Sequence, residues 1–341
     1  MKIAALVYEG MVSSIYRSLV PMQELAHRGH AVHVEERAEP ADPALLFEAD
    51  VVQFCRVCQY SVQHLARRLR RAGVATVWDN DDDVTTIPKD HATHTPLRGR
   101  RGQRIHLDMV GMMRCVDVVT TPSERLAERY RRASRADVRV LPNYLPPTFE
   151  RPERVMPHAG TVRLAWVASP EHRDDYERLR LAEAFQRLLE RNLELEIVVF
   201  GLDIALNSRR YFNIGFTAYG DLPSTLSRVD IGIAPLADNE FNAIRSDVKL
   251  KEYAAMGLPW LASPIGPYAQ LGEAEGGRLV PDDRWYEEID ALVQDADERS
   301  RLGYRARQWA AEERIEAHAD AWERLYAEVA ERASAARAAR R

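Results

Sequence analysis

Short apolar runs alternate along this chain with longer segments in which apolar residues recur at helical spacing. Residues 2–8 form such a run, followed by a loop around Gly10 and by residues 15–27, whose pattern is helical and stops at Gly29. Residues 31–35, 50–54 and 74–78 read as further strands, and the basic amphipathic stretch 62–71, ended by Gly73, reads as a helix. A polar, His- and Arg-rich stretch at 88–103 leads into a helix, a strand at 116–120, a helix at 123–132 and a strand at 138–141. Alternation of this kind predicts a parallel sheet covered by helices on both faces.

Five prolines (Pro142, Pro146, Pro147, Pro152 and Pro157) then break the pattern, because proline supports neither helix interiors nor strand ladders. The alternation restarts with strands at 161–167, 193–200, 230–234 and 259–262, and with helices at 176–191, 223–228 and 246–256. From Arg284 the chain reads as charged helix, and its last residues, SAARAARR, offer little to bury and are expected to fray. The predicted fold class is therefore α/β: two doubly wound Rossmann-like domains facing across a cleft. The predicted divisions are an N-terminal domain at 1–145, a Pro-rich linker at 146–160, a second domain at 161–315, and a C-terminal helix and tail at 316–341.

Composition narrows the partners. A chain of 341 residues can fill two cores. The formal net charge of −5 speaks against a general nucleic-acid binder, although Arg67, Arg68, Arg70 and Arg71 make a local basic patch. The opening apolar run is interrupted by Glu9 and lacks the features of a signal peptide. No stretch approaches the roughly 20 apolar residues that span a bilayer. Three cysteines make no disulfide framework, and the lone Cys55–Cys58 pair has no second pair with which to hold zinc. These features imply a cytoplasmic location, with peripheral membrane contact left open.

Open parallel sheets bind ligands outside the carboxyl ends of their strands. There the richest segment is FNAIRSDVKLKEYAAMGLPWLASPIGPY. Ser246 fits an N-cap and Gly257 a helix stop, so the intervening helix would present free amides and a positive dipole end to a diphosphate, with Arg245 and Lys249 adding charge. Lys249 and Glu252 lie three apart and share a helix face, which suits a phosphate contact beside a carboxylate for two ribose hydroxyls. On spacing alone, a surface ion pair is the preferred reading.

The run Asn242, Arg245, Ser246, Lys249, Glu252, Tyr253, Gly257 and Pro259, followed by Ala262, Ser263, Gly266 and Pro267, resembles the donor-binding signature of retaining GT-B glycosyltransferases. These belong to the broad glycogen and sucrose synthase-like group, with its bacterial surface-polysaccharide and secondary-metabolite members. The RGH turn after the first helix, DVVTTPSERLAERY with VLPNY, and WVASPEHRDDY extend the resemblance over most of the chain. It implies transfer of a sugar, with retention of configuration, from a nucleoside-diphosphate donor to a hydroxyl acceptor: a glycan, a lipid-linked glycan or a small natural product. The nucleotide sugar is then a co-substrate, with no cofactor and no metal, and a front-face return mechanism uses no protein nucleophile.

By that resemblance Glu252 binds the donor ribose, and Lys249 and Ser246 contact phosphate. His172 and Arg173 place a basic residue on the diphosphate, with Arg173 preferred, and His106 reaches the sugar from the first domain. Arg173, Lys249 and His106 thus form the expected catalytic set. Arg245, Gly266 and Gly10 complete the donor site, and Gly10 is the weakest assignment because the usual glycine pair is absent. Ile244 stands where many relatives carry a first glutamate, leaving Asp238 or Glu240 to substitute. Asp79, Asp81 and Asp82 are assigned to the acceptor side, orienting the acceptor or pairing with an arginine from 98–104. An Asp-x-Asp metal site belongs to a different architecture. The missing glutamate keeps a non-catalytic nucleotide-sugar-binding subunit as an alternative, beside a sugar epimerase of the same fold.

Overall fold

The computed structural model describes residues 1–8, 12–37, 39–91, 99–150 and 160–339. Its first half is a six-stranded parallel sheet of β1 (Lys2–Val7), β2 (Ala31–Glu35), β3 (Val51–Cys55), β4 (Ala75–Asp79), β5 (Val118–Thr121) and β6 (Val138–Val140), in the order β2-β1-β3-β4-β5-β6. The helices around it are α1 (Val12–Ser14), α2 (Val20–His27), α3 (Pro43–Phe47), α4 (Tyr60–Ala72), α5 (Arg100–Met113) and α6 (Glu124–Ser134). Helix α4 shows why the pattern was readable. It buries Val62, Ala66 and Leu69 at helical spacing while Arg68, Arg70 and Arg71 stay in water. A π-helical turn, Ile15–Leu19, joins α1 to α2, and such turns occur mostly where function needs an irregular helix.

The second half repeats the plan with β7 (Val162–Ala168), β8 (Leu195–Gly201), β9 (Tyr211–Asn213), β10 (Ile231–Ala234), β11 (Trp260–Ala262) and β12 (Gly277–Leu279), again all parallel, in the order β12-β11-β10-β7-β8-β9. Its helices are α7 (Arg173–Arg178), α8 (Leu181–Arg191), α9 (Leu222–Leu226), α10 (Glu240–Ala243), α11 (Val248–Ala255), α12 (Trp285–Gln294), α13 (Ala296–Glu312) and α14 (Ile315–Ala338). The helix expected over 176–191 is split into α7 and α8 by Arg180, which takes a left-handed backbone.

The last helix departs most from expectation. Helix α14 leaves the second half and buries Ile315, Trp322, Tyr326 and Val329 in the first half's core, together with Ile3, Val51 and Val77. Of the SAARAARR segment, residues 334–338 are helical and exposed, and residues 340–341 lie outside the described residues. The two connections between the halves run side by side. Leu145 N–H donates to the Glu313 carbonyl (2.9 Å) and Ile315 N–H to that of Leu145 (3.0 Å).

One buried ion pair organises this junction. Arg17, in the π-turn, is fully enclosed and grips Asp79 at the end of β4 through Nε to Oδ1 (2.9 Å) and Nη2 to Oδ2 (2.7 Å). Its remaining nitrogen donates to the Leu141 carbonyl and to Asn143 Oδ1, and its guanidinium lies over the Trp322 ring of α14. Removing one partner of a buried pair strands the other charge. Asp79→Asn or Arg17→Met should therefore cost about 3–5 kcal/mol in urea unfolding. The double variant Arg17→Met/Asp79→Leu should cost clearly less than the sum of its single changes.

Candidate functional site

The carboxyl ends of the two sheets face each other, and the charged side chains of the second half gather there. After β7 the chain makes a 3₁₀ turn, Pro170–His172, and enters α7. This places His172, buried beside the Trp166 ring, with Nδ1 2.8 Å from Asp175 Oδ2 and Nε2 3.0 Å from Lys249 Nζ. Lys249 lies on α11, whose seat is set by the next turn. Tyr253 tucks its hydroxyl between the strands, donating to the Ile233 carbonyl (3.0 Å) and accepting from Val167 N–H (2.9 Å). Its ring passes Gly232 so closely that a Cβ there would sit 2.6 Å from ring carbons, so β10 needs glycine at this point.

With α11 so fixed, Lys249 and Glu252 both point into the cleft. Glu252 Oε1 accepts a 2.5 Å hydrogen bond from Tyr16 of the first half, whose hydroxyl in turn accepts from Tyr219 (2.8 Å). Burial pushes the Glu252 carboxyl up to about 7, against the opposing pull of the Tyr16 hydroxyl and Lys249. Burial, reinforced by Arg245, pulls the Lys249 ammonium down to about 8. His172 is driven well below its ordinary range by burial and by the Lys249 and Arg245 charges.

Arg245 completes the cluster. It donates to Glu171 Oε1 (3.1 Å), and although burial works the other way, that pairing holds the Glu171 carboxyl at about 2. Two groups of the first half act on this cluster across the cleft. Asp82 is coupled electrostatically to Arg245, and the buried His91 to His172. His91 was passed over in the sequence as one polar-loop histidine among several, and only its burial marks it out.

Several expected site residues lie elsewhere. The residue preceding α11 is Asp247, which makes no side-chain cap hydrogen bond, and Ser246 Oγ accepts from Asn143 Nδ2 (3.0 Å), tying the second half to the crossover. Arg173, at the first turn of α7, sends its guanidinium to the Asp203 carbonyl after β8 and makes no hydrogen bond to His172, Lys249 or Arg245. Asp79 is withdrawn from the cleft, its carboxylate consumed by Arg17 and by the Thr120 hydroxyl (2.6 Å). Asp81 and Asp82 pair with Arg56 rather than with the 98–104 stretch, where, among the described residues, Arg104 pairs with Asp108.

His106 is exposed on α5 without a hydrogen bond to the cluster, and Gly10 lies outside the described residues. Gly266 has a left-handed φ of +56°, and a Cβ there would lie 2.7 Å from the Ala243 carbonyl oxygen, so glycine lets its loop close against α10. With Ser246, Asp247 and Ile265, and with Pro122 and Ser123 of the first half, Gly266 lines a cavity of about 520 Å³ between the halves. Ile244 is buried within the first half's core cluster, and its carbonyl accepts from Ser123 Oγ (2.7 Å). Where relatives carry a carboxylate, this chain has an apolar peg joining its halves. Of the two proposed substitutes, Glu240 pairs with Arg129 and Asp238 borders the cavity.

Residues 161–295 match the family model described as Glycosyl transferases group 1. No curated protein sequence matches the chain. Among solved structures, Anabaena HepE in complex with UDP superimposes with a TM-score of 0.67, covering 96% of this chain and 100% of that one at 14% identity. WaaG, a glycosyltransferase involved in lipopolysaccharide biosynthesis, gives 0.64 over 95% of this chain and 99% of its own at 13% identity. An α-glucosyltransferase in complex with UDP gives 0.64 over 96% and 99% at 10% identity. The fold is therefore GT-B, two Rossmann-like domains facing across a cleft, and the match to the group 1 glycosyltransferase model lies in the second half. Among the described residues no helix is long and apolar enough to cross a membrane.

The raised Glu252 carboxyl makes stability depend on pH with a defined sign. Between about 4.5 and 7 the folded state retains a proton that the unfolded chain has released, so this group makes the protein less stable as pH rises through that window. Glu252→Gln should flatten that fall by a few kcal/mol at most, read from chemical unfolding at pH 5, 6 and 7. An unchanged slope would mean that Glu252 is ionised throughout.

Proposed function

We propose that this chain transfers a sugar from a nucleoside-diphosphate donor, UDP-linked by preference, to a hydroxyl acceptor with retention of configuration. The observation that carries the reading is the pair on α11: half-buried Lys249 and buried Glu252, both aimed into the cleft. Support for uridine comes from the neighbouring HepE and α-glucosyltransferase folds, which were solved with UDP.

In this reading the diphosphate lies at the N-terminal end of α11, against Lys249, Arg245 and the free amides of the first turn. The ribose hydroxyls donate to Glu252, replacing Tyr16. As the bond between sugar and diphosphate oxygen breaks, the acceptor oxygen bonds to the same face of the sugar, and the acceptor's proton passes to the leaving phosphate oxygen. Lys249 and Arg245 stabilise the charge that develops on the diphosphate, without a metal. Asp82 and His91 stand on the acceptor side. Arg173 and His106 have no part in this arrangement.

Ile244 favours a second reading, a nucleotide-sugar-binding subunit without turnover. Incubation with UDP-sugars and a panel of glycan, lipid-linked and small-molecule alcohols, followed by mass spectrometry, separates the two. Glycosylated product supports transfer, whereas binding with neither transfer nor donor hydrolysis supports the subunit.

Binding itself has a predicted pH profile. UDP affinity should rise as Glu252 ionises through about 7 and fall as Lys249 loses its proton above about 8, giving a narrow maximum between them. Calorimetric titration in EDTA from pH 6 to 9.5 measures it. Glu252→Ala should weaken UDP binding by about 2 kcal/mol, roughly 30-fold in Kd, and abolish the acidic limb. Affinity that depends on added Mg²⁺ or Mn²⁺ would overturn the metal-free part of the reading.

A further inference from the structure

His172 sits between two groups that decide its tautomer. The Lys249 ammonium has donors only, so the His172 Nε2 that faces it at 3.0 Å must accept. The ring proton is then on Nδ1, donated to Asp175 Oδ2 at 2.8 Å. Asp175 is 2% exposed, and its other oxygen is already committed: Oδ1 accepts from the Ala237 N–H (2.8 Å) and from Asn242 Nδ2 (2.7 Å). The Asn242 amide is held in that orientation by its second bond, to the Ala237 carbonyl (2.9 Å). The remaining charged groups facing the ring are Glu171 and Arg245 on its own half and His91 from the first half.

We propose that Asp175 is a positioning residue: by holding His172 in its Nδ1–H form, it leaves a lone pair that anchors the Lys249 ammonium where the donor diphosphate binds. One donor of Lys249 is spent on the ring and two remain for phosphate oxygens. This rests on the donor-site reading above.

The surroundings of Asp175 make Asp175→Asn a directional probe. In the variant the amide oxygen must stay with Ala237 N–H and Asn242, because an NH₂ group there would face two donors. The NH₂ is therefore turned toward His172, which moves the ring proton to Nε2 and sets a donor against the ammonium. The change is nearly isosteric, so packing is kept while the anchor is reversed.

The experiment uses the full chain with ¹⁵N-labelled histidine, His172 being assigned by its loss in His172→Gln, together with UDP titrations. Wild type should show Nδ1–H at His172 and Asp175→Asn should show Nε2–H. Kd for UDP should rise about tenfold to a hundredfold, the range typical when a ligand's orienting partner is lost. In a Lys249→Met background Asp175→Asn should change Kd no further.

Nε2–H in the wild type overturns the proposal without any variant, which matters if Asp175→Asn folds poorly. An unchanged tautomer in Asp175→Asn overturns it as well. So does a switched tautomer with unchanged Kd, or an equal loss in the Lys249→Met background. If the wild type binds none of UDP, GDP, ADP and dTDP, the donor-site reading fails on its own account, and the two tautomers still decide whether Asp175 orients the ring.

Discussion

The contact on which the rest of the molecule leans is the enclosed pair of Arg17 and Asp79. Neither side chain reaches water, so each requires the other. The guanidinium's remaining donors are spent on Leu141 and Asn143, at the start of the crossover to the second half. From Asn143 the network runs on through Ser246, at the approach to α11, and through Lys251, whose ammonium meets the Asn143 carbonyl (2.8 Å) and Glu313 (2.8 Å). A single charge pair inside the first sheet is thus joined by hydrogen bonds to the approach to α11 and to α11 itself. Tyr16, which meets Glu252, adjoins Arg17 in the same π-turn.

The cleft is built around charges that do not neutralise one another fully. Burial, with Arg245 close by, lowers the proton affinity of Lys249, and burial makes Glu252 resist ionisation. Each has a close polar partner: Lys249 faces Nε2 of His172, and Glu252 accepts from the hydroxyl of Tyr16. In the proposed reading, an anion with two vicinal hydroxyls would meet the two remaining donors of Lys249 and take the place of Tyr16 at Glu252.

Much of the fold was legible from periodicity, because both sheets are parallel and their strands are short continuous apolar runs. Strands β9 and β12 were missed because neither is an apolar run: Phe212 and Asn213 of β9 are exposed, and β12 centres on Arg278. The return of α14 to the first half was invisible, since an amphipathic helix does not state which core it covers. Lys249, Glu252 and Arg245 could be grouped from the sequence because they lie close together on one helix and its approach. Asp79 was misplaced for the opposite reason: its partner is distant in sequence, and an acidic run after a strand reads the same whether it faces solvent or an arginine. Tyr16 carried no signal, because a tyrosine in a helix is ordinarily core. Ser246 had the chemistry of a cap, but Asn143 claimed its hydroxyl.

Helix α14 also bears on the order in which the chain can mature during synthesis. The first sheet is translated before the second, yet the face formed by Ile3, Val51 and Val77 is not fully covered until Trp322, Tyr326 and Val329 follow the second half. The first half therefore cannot finish folding on the ribosome ahead of the second. Until then part of its apolar face lacks the cover that α14 provides. Clipping the chain within α14 would then unravel the half farthest from the cut in sequence, while leaving the second sheet's own core covered.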